Sequence, residues 1–180
     1  RIVQLLVWVA KALALRAHPK ITHMGRYLCG LVESDSEVVA KTAAEGLGVI
    51  MSTDSGVFPT FSGIKKSKFF QQRFFLQNYP TLVNAIMGQA SKTQTEAKMK
   101  STATSMHKKY SLAALSHMLQ HTPRRIFAAK VPQLLPYLLD GLQSEEEGMR
   151  ISALLAFSKI LQLALPKLDK HVSMLIRTCL

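Results

Sequence analysis

His117 and His121 stand four residues apart, so in any helix they share one face and could offer two imidazoles to a metal ion. The intervening residues are Met118, Leu119 and Gln120, so the glutamate that acts as general base in zinc hydrolases of this spacing is missing. No third ligand follows, and the pair reads as two partly exposed helix histidines. Gly46 and Gly48 form a G-x-G, but position 51 is Met51 and no strand pattern precedes it, which removes a dinucleotide fingerprint. Met99-Lys100-Ser101-Thr102 ends like a phosphate loop without the glycines whose N–H groups would cradle phosphate. No G-x-S-x-G elbow is present. Cys29 and Cys179 each lie in apolar helical context and read as reduced core thiols of a cytosolic or nuclear protein, not as cluster or zinc ligands. Neither catalysis nor a bound metal or cofactor is expected.

The remaining chemistry is charge. The chain carries 23 Lys and Arg against 11 Asp and Glu, a net +12. Twelve of these cations (Lys65, Lys66, Lys68, Arg73, Lys92, Lys98, Lys100, Lys108, Lys109, Arg124, Arg125 and Lys130) fall in one stretch whose sole acid is Glu96, while the rest of the chain is nearly neutral. Crowded like charges oppose compaction, so the stretch points to an external acidic partner. The residues assigned to a protein-docking surface are Lys65, Lys66, Lys68, Arg73, Lys108, Lys109, Arg124 and Arg125. Phe69, Phe70, Phe74 and Phe75 beside these lysines could stack bases, but no nucleic-acid motif surrounds them and paired aromatics on an amphipathic helix fill a core.

Helices must position all of this. Apolar residues make up 48% of the chain, with only seven prolines and nine glycines, and Leu, Ala, Lys and Met predominate. The opening run from Ile2 to Ala17 is apolar on nearly every face, yet Gln4 and Lys11 interrupt it well short of a membrane span. Pro19 stops it, and helices follow over Ile21–Val32, from the capping turn 33–37 to about Met51, and again from about Lys65 with a kink or break at Tyr79-Pro80. Residues 52–63 read as an irregular loop and Gln89–Thr102 as a mobile one, with the next helix over Ala103–His121. A short helical piece lies between Pro123 and Pro132, then a helix over Gln133–Gln143. Ser144 with Glu147 suggests a capping box for a helix that Pro166 ends near Ala164, and a stripe at Leu168, Val172, Leu175, Ile176 and Cys179 marks a last helix. Opening on Arg1 and closing without a cap, the sequence is expected to be part of a longer chain.

These helices repeat. Tyr27-Leu28, Ser34, Glu37, Leu47 and Ile50 match Tyr137-Leu138, Ser144, Glu147, Phe157 and Ile160 at an offset of 110, and Lys108, Ala114, Leu115, Ser116, Leu119 and Gln120 match Arg150, Ala156, Phe157, Ser158, Leu161 and Gln162 at an offset of 42. After removal of the two loops the period is about 43 residues, that of HEAT repeats. The expected fold is all-α, a HEAT-type α-α superhelix or solenoid of antiparallel helix pairs: 1–17 from a preceding unit, units at 19–52, 66–121 and 124–164, and 167–180 opening another. The third unit carries the pattern most fully, with a proline in its first helix, an acidic turn and Met149-Arg150 opening its second, whereas the first has Val39-Ala40 at that pair.

RFFLQNYPTLV (73–83), YSLAALSHMLQHTP (110–123) and LLPYLLDGL (134–142), with VWVAKALALRAHP near the start, resemble the C-terminal repeats of the MMS-nineteen family. The resemblance implies a cytoplasmic and nuclear adaptor of cytosolic iron–sulfur assembly. Such an adaptor docks an assembly adaptor and a propeller-type subunit, so that clusters reach apo client proteins, among them DNA repair and replication enzymes, and holds no cluster itself. A HEAT solenoid of nuclear transport or chromosome organisation, or a basic nucleic-acid-binding surface, is the alternative.

Overall fold

The computed structural model describes residues 1–52, 67–87 and 100–168, and every regular element among them is helical. In chain order these are α1 (Ile2–Leu15), α2 (Ile21–Val32), α3 (Glu37–Met51), α4 (Ser67–Ile86), α5 (Lys100–His121), α6 (Arg124–Phe127), α7 (Val131–Gln143) and α8 (Glu147–Leu168). The two loop segments, including most of 89–102, and the stripe from Val172 to Cys179 lie outside the described residues, as do residues 169 and 170.

One layer consists of α1, α3, α5 and α8, each packed on the next, and a second layer of α2, α4 and α7 lies along it, with α2 on α3, α4 on α5 and α7 on α8. The first-layer helices run parallel. Val7 meets Gly46 while Lys11, one turn on, reaches Val49 and Ile50. Lys109 of α5 pairs with Glu37 at the start of α3, and His117 two turns on lies against Gly48. Consequently the turns at 33–36 and 144–146 share one edge of the stack with the N-terminal half of α5, and the C-terminal ends of α1, α3 and α5 share the other.

Register in the sequence reappears in the helices. α2 begins at Ile21 and α7 at Val131, α3 at Glu37 and α8 at Glu147, each pair 110 apart. Both turns close alike, the Ser36 N–H donating to Ser34 Oγ at 3.3 Å and the Glu146 N–H to Ser144 Oγ at 3.2 Å. Of the residues matched at the offset of 42, Ala114 and Ala156 are both buried, as are Leu115 and Phe157.

Several boundaries differ from the sequence reading. α4 runs unbroken through Pro80, which cannot donate to the Leu76 carbonyl, and burial of Phe74, Phe75, Tyr79, Leu82 and Val83 outweighs that single lost bond. α8 likewise continues past Pro166 to Leu168, close enough to its end that little helix follows the proline. α5 starts at Lys100, three residues before the expected Ala103, because a polar first turn needs no apolar stripe. The Ser144–Glu147 capping box does not form: α8 opens at Glu147, so Ser144 stands two residues too early to cap it and closes the turn instead.

Candidate docking surface

The centre of the structure is a seam of small residues. Gly46 and Gly48 lie two apart in α3 and therefore on opposite faces. A Cβ at Gly46 would lie 2.2 Å from Val7 Cγ2 of α1, and one at Gly48 would lie 2.8 Å from His117 Cβ of α5. The G-x-G thus admits a helix on each side. His117 is partly buried here, and desolvation holds its pKa below the usual value. Among the described residues no group of three His, Cys, Asp or Glu is placed to hold a metal ion.

Two lysines are drawn into the fold. Lys11, 7% exposed, donates to the Val49 carbonyl at 2.8 Å, to Ile50 O at 3.4 Å, to Ser52 Oγ at 3.2 Å and to Ser52 O. Gln71 of α4 donates to Met51 O at 2.7 Å and the Ser52 N–H to Gly48 O, so the carbonyls that end α3 without helical partners are satisfied from both neighbouring helices. In the sequence Lys11 reads only as a break in an apolar run, and its partners lie 38 or more residues away.

Lys109 holds the opposite edge. Its side chain is 19% exposed, 2.5 Å from Glu146 Oε1 and 3.7 Å from Glu37 Oε1, and lies over the Tyr110 ring at 5.0 Å. Tyr110 donates from its hydroxyl to Glu37 Oε1 at 2.6 Å. The hydrogen bond from Tyr110, then the charge of Lys109, hold Glu37 below the usual carboxylate range, while the bond to Glu146 raises the Lys109 pKa. His107 approaches Asp35 at 3.7 Å beside them, and Arg150 donates to the carbonyls of Ser144 at 2.9 Å and Glu145 at 2.7 Å.

Of the eight cations assigned to a docking surface, four have side chains that are described, and these are spread over α4, α5 and α6. Lys65 and Lys66 lie outside the described residues, as do the side chains of Lys68 in the first turn of α4 and Arg124 at the start of α6. Arg73 is exposed on α4, Lys108 is partly exposed in α5, and Arg125 is exposed in α6, beyond the far end of α5. Lys108 and the end of α5 at His121 are separated by about 20 Å at the helical rise per residue. Lys109 is occupied by Glu37 and Glu146. Of the aromatic cluster, Phe74 and Phe75 are buried and Phe70 packs on Phe74 with ring centroids 5.4 Å apart, while the Phe69 side chain is not described. Cys29 is buried against Asn78, whose Oδ1 accepts from Sγ at 3.5 Å, and burial pushes its thiol pKa up to about 12. No helix among the described residues is long and apolar enough to cross a membrane.

Comparison with known proteins settles the family. A family model described as "RNAPII transcription regulator C-terminal" matches residues 1–180. The chain belongs to the MMS19 C-terminal family. It is 31% identical over 172 residues to the "MMS19 nucleotide excision repair protein homolog" of Bos taurus, covering 96% of the chain and 15% of that protein. The Xenopus tropicalis homologue is 30% identical over 176 residues, with 98% and 16% covered. The "DNA repair/transcription protein mms19" of Schizosaccharomyces pombe is 26% identical over 149 residues, with 83% and 13% covered. The chain thus spans about one-sixth of the length of these MMS19 relatives, which are named for DNA repair and transcription.

Proposed function

We propose that this chain is a non-catalytic scaffold segment built of HEAT units at 19–52, 66–121 and 124–164, which docks cytosolic iron–sulfur assembly subunits so that clusters are delivered to apo client proteins in the cytoplasm and nucleus. The observation that carries the reading is the match of the MMS19 C-terminal family to all 180 residues. The architecture supports it: stacked helix pairs offer long exposed surfaces to extended partners. Iron–sulfur clusters are cargo in this reading and need no resident ligand here.

Affinity capture from a cell lysate, with the chain as bait, tests the proposal. An assembly adaptor and a propeller-type subunit should be enriched over a bait carrying an unrelated helical solenoid. Enrichment of transport factors instead, or loss of all bound material on nuclease treatment, would overturn it.

A further inference from the structure

Among the described residues, charge also differs between the two edges of the stack. At the edge that holds the turns 33–36 and 144–146 stand Glu33, Asp35, Glu37, Glu145, Glu146 and Glu147, and Lys109 is neutralised among them. At the other edge, the stretches around the ends of α1 and α5, residues 10–24 and 113–135, contain no acidic residue at all, while the segment after α3, which includes Asp54, lies outside the described residues. Arg16 and Lys20 in the α1–α2 junction and Arg125 after α5 are exposed, and none of the three has an ion-pair partner among the described residues.

Cations near helix C-termini often serve the helix itself. That role is filled locally here: at the end of α1 the N–H groups of Arg16, Ala17 and His18 donate to the Ala12, Ala14 and Leu13 carbonyls, and at the end of α5 Thr122 donates from its N–H to Leu119 O and from its hydroxyl to Met118 O. Arg16, Lys20 and Arg125 project instead into solvent. Neighbouring helices pack 8–10 Å apart, so from α1 across α3 to α5 the strip runs about 16–20 Å, the reach of roughly five to six extended residues.

We infer that the edge carrying Arg16, Lys20 and Arg125 is a docking strip for an extended acidic polypeptide. Its cations are spaced across two helix–helix steps, which suits carboxylates strung along an extended chain, and its field attracts such a segment before contact. The inference rests on the scaffold reading for its purpose. A generic acidic probe tests it without reference to any particular partner, so that either idea can fail alone.

The experiment measures binding of a fluorescein-labelled oligoglutamate to the chain by anisotropy at low and physiological salt, with labelled random-sequence duplex DNA as the rival probe. The triple variant Arg16→Glu, Lys20→Glu, Arg125→Glu should weaken oligoglutamate binding by about tenfold or more, since each reversal places like charges together. Arg73→Glu on α4 and Lys108→Glu toward the acidic edge should change it by less than about twofold. Helical circular dichroism of all variants should match the parent, and if the triple variant does not fold, charge-neutral Arg16→Gln, Lys20→Gln, Arg125→Gln should still show a graded loss. Equal losses from Arg73→Glu or Lys108→Glu, no loss from the triple or neutral variant, or tighter binding of the duplex than of oligoglutamate would each overturn the inference.

Discussion

Glycine to alanine should have opposite signs at two positions in this chain. In a helix interior the exchange gains about 0.5–1 kcal/mol, because alanine has less backbone freedom to lose on folding. Gly30 in α2 is exposed, and an added Cβ there would meet nothing within 4 Å, so Gly30→Ala should show that gain undiluted. At Gly46 the same Cβ would lie 2.2 Å from Val7 Cγ2, 3.3 Å from Cγ1 and 3.4 Å from Cβ, so Val7 must leave its rotamer or α1 must move. Overpacking costs about 1–3 kcal/mol and this contact belongs at the upper end, leaving a net loss of about 1–2 kcal/mol. For a domain of this size the melting temperature should fall by about 2–8 °C for Gly46→Ala and rise by about 1–4 °C for Gly30→Ala. Val7→Ala deletes two methyl groups and should cost about 1–3 kcal/mol alone, but with Gly46→Ala the new methyl fills the vacated volume. The two changes should therefore couple favourably by about 2 kcal/mol. Thermal unfolding followed by circular dichroism decides the matter. A Gly46→Ala chain that melts higher than the parent, or a double variant no better than the sum of its parts, would refute the close packing of α1 on α3.

Lys11→Met keeps the apolar stem but leaves Ile50 and Ser52 carbonyls without their donor, and should lower stability by about 2 kcal/mol in urea unfolding. Glu37 has its pKa lowered by folding, so its contribution is present above the unfolded value near 4.5 and is lost as pH falls through the lower folded value; a Tyr110→Phe chain should lose less stability than the parent over that acid range. Lys109 has its pKa raised, so its contribution is present below 10.5 and disappears as pH rises through the folded value, a loss that Glu146→Gln should reduce in alkaline melting curves. Cys29, with its pKa near 12, should resist iodoacetamide in the native chain and react once urea unfolds it, as read by peptide mass spectrometry.

Local signals placed most of the helices. Pro19 and the acidic turn bracket α2, and the serine-acid turns put α3 and α8 at equivalent positions 110 residues apart, because turn chemistry and apolar period act over a few residues. A proline alone does not end a helix here: Pro80 sits inside a helix that tertiary burial carries through, and Pro166 lies within the last turn of α8. The candidate surface was less legible. Lys109 looks like any solvent cation until Glu37 and Glu146, from two different turns, are brought beside it. Arg16 and Lys20 lie outside the basic stretch of the sequence and join Arg125 only because the first-layer helices run parallel. A lysine inside an otherwise apolar helix was the available sign for Lys11, since such a position demands acceptors.

The alternating glycines of α3 also bear on how the structure carries load. Between Val7 and His117 there is only helix backbone, with no flexible side chain to absorb a displacement. Packed protein interiors are barely compressible. A partner that presses on α1 therefore pushes α5 almost as directly as if the two helices touched, with α3 as a stiff spacer between them.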